Sequence, residues 1–292
     1  MIKWLYLFLF FGIGVFSVVY ASQSWMSSHE ITYSNAHYTV LDTAFSHVAV
    51  SAAAYSVFDV ETGEPFGAKN PNDRHEMASV TKLITADTAL STSTVDSSTT
   101  VSWRAVRTEG KSGSLKAGEQ YHVRELLFPL LLESSNDAAE AIAEKNGRAR
   151  FIGSMNARVK DLGMSSTTIV DPSGLSPKNV STAHDLSTLL TYLIRDHRHI
   201  LDITTLATYV GATHTWQNID PVVSSKGFIG GKHGYTDTAG RTLAVVFDER
   251  VPGSNTTRSI GVVLLDSDNL QQDVERLRTE FRRAVSYGYD IK

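Results

Sequence analysis

Apolar and polar positions fall into three regimes along the chain. The first is an unbroken apolar run. From Trp4 to Ala21 there is no charge, and one lysine, Lys3, precedes it. A buried core helix would show polar positions at helical spacing, and this run shows almost none. Residues 1–21 therefore read as a secretory signal or an N-terminal membrane anchor. Val19-Tyr20-Ala21 fits a cleavage pattern, while the run itself is nearly long enough to span a bilayer, so both readings stand. Lys3 on the near side places the N-terminus in the cytoplasm and the remainder outside, in the cell envelope.

The second regime, residues 22–45, is rich in Ser, His and Asn and has no clear period, which reads as a polar tether. The third, residues 46–292, alternates and repeats like a folded domain. SAAAYSVFDVETGEPFGAKN reads as a hairpin turning at Glu61-Thr62-Gly63-Glu64. A helix is expected from about Ser79 to Leu90, followed by a Ser/Thr/Gly-rich stretch to Gln120. Four helical patterns come next: VRELLFPLLLE, NDAAEAIAEKN, ARFIGSMNARVKDLG and TAHDLSTLLTYLIRDH. Strand patterns return in GKHGYTDT, GRTLAVVFDE and RSIGVVLLD, and QQDVERLRTEFRRAVSYGY closes the chain as an amphipathic helix. Strands at both ends with helices between them predict an α/β (α+β) lobe, with a helical lobe inserted at about residues 83–205.

Composition narrows the chemistry. Of 292 residues 42% are hydrophobic and 20% charged, and the net charge is -4 with no basic stripe, so nucleic acid is not an expected partner. Cysteine is absent, which excludes disulfides, thiolate metal sites and a cysteine nucleophile.

Three strings could carry chemistry. In EMASVTKLITA, Ser79 and Lys82 stand three apart on one helix face. A serine needs a base within hydrogen-bond reach, and a lysine is a base only if burial or a second positive charge lowers its pKa. The bland reading is a solvated lysine with a packed stem. In GGKHGYTDTAGRTL, glycines flank Lys232 on a strand, where a ligand backbone could lie along the edge; the bland reading is a surface lysine. In LLLESSNDAAEAIAE, Ser134-Ser135-Asn136 either caps a helix or aims a hydroxyl and an amide into a cleft. Two further matches, Ser267-Asp268-Asn269 and Ser154-Met155-Asn156, are set aside: the first falls where a helix cap is expected, the second within a helix.

Together and in this order, these strings resemble the serine penicillin-recognising enzymes. More narrowly they resemble D-alanyl-D-alanine carboxypeptidases of the low-molecular-mass penicillin-binding protein type, peptidase family S11. RHEMASVTKLITA, LLFPLLLESSNDAAEAIAE, DPSGLSPKNVSTAHDLSTL and GGKHGYTDTAGRTLAVV carry the likeness, which covers about residues 51–266. The resemblance implies a β-lactamase/transpeptidase-like fold, an antiparallel sheet flanked by helices. It implies Ser79 as nucleophile, Lys82 as general base and Ser134 as proton relay. Asn136, Lys232, His233, Tyr235 and Thr236 would bind substrate, with the backbone N–H groups of Ser79 and Tyr235 as oxyanion donors. It implies a peptidoglycan pentapeptide as substrate and β-lactams as covalent inhibitors, and no metal or organic cofactor is needed.

Two positions depart from the family pattern. His233 stands where Thr or Ser is usual and where the hydroxyl helps bind a terminal carboxylate. The basic residue often found just after the final core strand has no counterpart in LLDSDNLQQD. Three other readings compete with a carboxypeptidase. One is a D,D-endopeptidase using the same residues. Another is a class A β-lactamase, disfavoured because no E-x-x-L-N string is present. The third is a penicillin-fold binding protein without catalysis, which only His233 favours. A zinc carboxypeptidase would need H-E-x-x-H, and His197 and His199, beside Arg195 and Arg198, read instead as a solvated basic turn.

Overall fold

The computed structural model describes residues 33–41, 44–92, 94–251 and 257–291, without the side chains of 33–39 and 287–291. The expectations for residues 1–21, and for the tether as far as residue 32, lie outside the described residues. In chain order the elements begin with β1 (Tyr33–Val40), β2 (Ala54–Asp59), β3 (Pro65–Lys69) and β4 (His75–Glu76), then α1 (Thr81–Leu90), β5 (Ser98–Thr100) and α2 (Trp103–Val106). There follow β6 (Gln120–His122), α3 (Val123–Leu132), α4 (Asn136–Lys145), α5 (Arg148–Asp161), β7 (Val180–Ser181), α6 (Ala183–Asp196) and α7 (Arg198–Thr205). The chain returns through β8 (Thr208–Val210), β9 (Thr215–Gln217), β10 (Phe228–Thr236), β11 (Gly240–Arg250) and β12 (Thr257–Ser267) to α8 (Leu270–Ala284) and β13 (Val285–Ile291).

Residues 40–286 form one unit, and the described residues outside that range belong to another. In the latter, β1 pairs with β13 as a two-stranded sheet. Residues 33–40 are thus a strand, within a stretch whose composition reads as a tether. The closing helix also ends earlier than its pattern implies. Its apolar stripe Val274, Leu277, Phe281, Ala284 is complete at Ala284, and the β-branched and aromatic run VSYGYDI continues as strand.

The larger unit is built on a five-stranded sheet in the order β10-β11-β12-β2-β3, antiparallel throughout. Its strands come from both ends of the chain, as the order of elements predicts, and they are antiparallel, as the family resemblance implies. Every residue of β2 is buried; α6 packs on this strand and on β11 and β12, and α8 also covers β11 and β12. Helices on both faces explain why the central strands read as continuous apolar runs (LAVVF, IGVVLL) rather than alternating ones. α6 starts cleanly because the Thr182 hydroxyl accepts from the Asp185 N–H, and it buries Leu186, Leu189, Leu190 and Leu193. β10, at the open edge of the sheet, lies against α7 and the turn that precedes α1.

The two set-aside strings are structural. Asn269 caps α8, accepting from Gln272 N–H at 3.1 Å. Asn156 holds the loop after α5, donating to Ile169 O at 2.7 Å and accepting from its N–H at 3.0 Å. The histidine turn is only partly solvated. Arg195, Arg198 and His199 are exposed, but His197 Nδ1 lies 2.6 Å from the buried Asp87 of α1. That contact joins two segments more than a hundred residues apart, which local sequence does not signal.

Ser267 binds Asp273, fully buried in the first turn of α8. Asp273 also accepts from Ser51 Oγ at 2.6 Å and from the Ser51 and Ala52 N–H groups at 2.9 and 3.0 Å. One carboxylate thus ties the domain's first residues to its last helix. Replacing it strands two buried donors, so Asp273→Ala is expected to lower unfolding stability by about 3 kcal/mol in urea titration. A change within experimental error would contradict this role.

Candidate active site

Ser79 sits in one turn of 3-10 helix, Ala78–Val80, that runs directly into α1. A plain α-helix from Ser79 is the sequence expectation. The tighter turn arises because Ala78 takes a left-handed φ of 45° and neither helix start has a side-chain cap. Such a backbone costs an L-residue on the order of 1 kcal/mol and lifts Ser79 out of the helical register. Gly174 makes room for it: at φ 85°, a Cβ there would overlap the Ala78 carbonyl.

Lys82, one turn on, is completely buried. Its Nζ donates to Asn136 Oδ1 at 2.8 Å and Ser173 O at 2.6 Å, and lies 2.9 Å from Ser79 Oγ. Two of these partners can only accept; only the Ser79 hydroxyl can also donate. A neutral lysine has two N–H bonds and one lone pair. The two carbonyl oxygens take both hydrogens, which leaves the lone pair for Ser79. Burial pushes the Lys82 pKa well below 10.5, and the positive charge of Lys232 pushes it further, against the opposing pull of Asp171 and Asp137.

Lys232 is buried as well, with Nζ donating to His233 O at 2.8 Å. Burial lowers it to about 8, with Asp220 raising it and Lys111 lowering it. Lys82 therefore loses its proton first, while Lys232 stays charged through neutral pH. Gly234, two residues on, brings β10 against the nucleophile: a Cβ there would stand 2.6 Å from Ser79 N.

The helical side supplies the rest. Of Ser134-Ser135-Asn136, only Ser135 is a helix cap, accepting from Ala138 N–H at 2.9 Å. Asn136 is oriented by Nδ2, which donates to Glu109 O at 2.7 Å, so that Oδ1 faces Lys82. Ser134 is buried at φ 61°, and its hydroxyl has no hydrogen-bond partner among the described residues. This geometry lets Lys82 accept the Ser79 proton and leaves a second hydroxyl available beside Asn136.

The family model for D-alanyl-D-alanine carboxypeptidase, peptidase S11, matches residues 41–266. The chain belongs to this family. It is 30% identical over 201 residues to the D-alanyl-D-alanine carboxypeptidase DacB2 of Mycobacterium tuberculosis, covering 66% of this chain and 69% of that protein. It is 36% identical over 138 residues to a D-alanyl-D-alanine endopeptidase of Pseudomonas aeruginosa, covering 46% of this chain but only 44%, less than half, of that protein. Among solved structures, penicillin-binding protein D2 of Listeria monocytogenes in its ampicillin-bound form superposes with a TM-score of 0.70 at 30% identity, over 80% of this chain and 98% of that one.

Within the S11 family the departure at His233 gains a structural partner. The Asp220 carboxylate accepts from His233 N–H at 3.0 Å and lies 3.2 Å from Nδ1. Tyr235 is exposed, with its hydroxyl on Asp237 and the Arg241 guanidinium 5.2 Å above its ring. The Thr236 hydroxyl accepts from Ala239 N–H at 3.0 Å and closes the β10–β11 turn. At the end of β12, where the sequence offers no basic residue, Ser267 and Asp273 form the junction described above.

Sequence reasoning missed Ser173, Asp171, Asn179 and Asp220. Asp171 Oδ1 gathers Ser173 N–H, Ser173 Oγ and Gly174 N–H at 2.7–2.8 Å, which aims the Ser173 carbonyl at Lys82. Asn179 closes the same loop through Val170 N–H and Asp171 O. The D-P-S-G string was a usable turn signal, since Asp followed by Ser and Gly favours this folded-back hydrogen bonding.

Removing the charge of Lys232 removes one cause that depresses Lys82, so Lys232→Gln is expected to raise the Lys82 pKa. Carbon-13 NMR of labelled lysine side chains would follow both titrations directly. A Lys82 titration that does not move would mean that the two buried amines are uncoupled.

Proposed function

We propose that this chain is a serine D-alanyl-D-alanine carboxypeptidase acting on peptidoglycan stem peptides outside the cytoplasmic membrane. The observation that carries the reading is the Lys82 amine, held by Asn136 Oδ1 and Ser173 O with its third direction on Ser79 Oγ. A binding protein has no use for a buried amine with its lone pair on a serine hydroxyl. Family membership supports the substrate class. The uncharged run Trp4–Ala21 supports export or attachment through the N-terminal segment.

In this mechanism Ser79 Oγ attacks the carbonyl between the two terminal D-alanines as its proton passes to Lys82 Nζ. The backbone N–H groups of Ser79 and Tyr235 take the developing oxyanion, each donor contributing about 3 kcal/mol to the transition state. Ser134 relays a proton from Lys82 to the leaving amine, the terminal D-alanine departs, and an ester to Ser79 remains. Water then attacks this ester, its proton returning through Lys82, and frees the shortened peptide and the serine. Lys232 supplies positive field for the substrate carboxylate. β-Lactams would acylate the same serine, as the ampicillin-bound Listeria relative suggests for its own site.

A second reading, endopeptidase action on cross-links, is favoured by relatives in Pseudomonas aeruginosa and Escherichia coli that carry that name. Both readings use the same acyl-enzyme.

The 292-residue chain in detergent, treated with a penicillin, is expected to gain the mass of one ligand on Ser79, and Ser79→Ala to gain none. Given a D-alanyl-D-alanine-terminated pentapeptide and a cross-linked dimer side by side, it is expected to release D-alanine from the first. No adduct on either chain would remove the hydrolase reading; cleavage of the dimer alone would establish the endopeptidase.

A further inference from the structure

Asp220 is buried, and both of its oxygens are held by main chain. Oδ1 accepts from Val222 N–H at 3.0 Å and Oδ2 from His233 N–H at 3.0 Å. The carboxylate cannot rotate away, and its Oδ2 also faces His233 Nδ1 at 3.2 Å. A carboxylate only accepts, so the hydrogen of a neutral imidazole resides on Nδ1. Nε2 then carries a lone pair, and it has no hydrogen-bond partner among the described residues. The ring is 18% exposed, on the strand whose next residue, Gly234, leaves no room for a Cβ beside Ser79 N. In this tautomer His233 has nothing to donate to an anion, unlike the hydroxyl usual at its position.

We infer that Asp220 and His233 form a proton-dependent specificity element, in which the imidazole takes up a proton as a ligand carboxylate arrives beside Lys232 and then donates to it from Nε2. This rests on the reading of the cleft as a site for carboxylate-terminated peptides. Asp220 is the positioning residue: it fixes the ring and compensates the imidazolium charge.

The groups around His233 agree. Burial and the charge of Lys232 on β10 lower its pKa below 6.5, Asp220 from the loop before β10 opposes them, and Lys82 from α1 lowers it further only while that amine holds its proton. Leu201 and Thr204, through which α7 packs on β10, carry no charge. Burial raises the Asp220 pKa, but His233, Lys232 and the Val222 N–H outweigh it and keep the group a carboxylate. In the empty site His233 is therefore neutral at pH 7. A bound anion offsets the charge of Lys232 and raises the imidazole pKa, so binding takes up a proton between the free and bound pKa values. Affinity for a carboxylate then falls as pH rises through this window, by at most about tenfold per pH unit. Lys232, which titrates near 8, weakens binding only at higher pH.

The test uses the Ser79→Ala chain, so that binding is read without turnover. An N-acyl-D-alanyl-D-alanine peptide and its C-terminal amide are titrated by calorimetry from pH 5 to 7.5, in two buffers of different ionisation enthalpy. The free acid is expected to bind with uptake of up to one proton, and the amide with none. His233→Thr in the same background is expected to lose this uptake below pH 7, keeping only the fraction that Lys232 contributes near pH 7.5, and Asp220→Asn to displace the uptake to lower pH. Binding of the acid without proton uptake overturns the inference. So does the same uptake in the His233→Thr variant, or an unshifted profile in Asp220→Asn. If Ser79 in the unmodified chain fails to acylate while uptake is seen here, the hydrolase reading falls and the proton-linked pair stands.

Discussion

The structure depends on placing two lysines in the protein interior beside one another. An isolated buried ammonium is so costly that it sheds its proton or finds partners. Lys82 and Lys232 divide these outcomes. Lys82, completely buried and in the field of a second cation, is pushed far down, and its two carbonyl acceptors hold the hydrogens of the neutral amine. Lys232, facing Asp220, comes down only to about 8. The difference gives one neutral amine and one cation at the same pH within one cleft. This is the pairing of separated pKa values that general base chemistry at a serine requires.

The fold serves this difference. The left-handed turn at Ala78 and the overlap avoided at Gly174 set Ser79 apart from the helix that carries Lys82. The Asp171 loop presents a carbonyl, α4 presents an amide, and the edge strand β10 brings Lys232 and Gly234 against the serine. Each part comes from a different stretch of chain, and the shared sheet and helices hold them in register. His233 tunes the same cleft by another route. An imidazole whose Nδ1 hydrogen is committed to a fixed carboxylate can donate to a second anion only when doubly protonated, which makes recognition there depend on pH in a way a hydroxyl would not.

Much of this was legible in the sequence, for identifiable reasons. The hairpin at residues 51–70, the strands GRTLAVVFDE and RSIGVVLLD and the helices of the middle segment show in periodicity, because their packing repeats along the chain. Ser79 and Lys82 show as a pair because helical spacing puts them on one face. The partners that complete the environment do not show. Ser173 acts through its main chain, which has no residue-type signature, Asp220 meets His233 only because the loop before β10 folds back on the strand, and Asp87 acts across a long sequence separation. Helix ends are legible where a side-chain cap exists, as at Thr182 and Asn269. They are not at Ser79, where backbone strain sets the geometry.

Attack by Ser79 requires Lys82 to be neutral. The most direct measurement is the second-order rate of Ser79 acylation by a penicillin as a function of pH. With a neutral Lys82 the rate climbs along an acid limb with its midpoint well below 10.5, the value of an ordinary lysine. A rate that rises only as pH nears 10.5, or one that is indifferent to pH throughout, would contradict it.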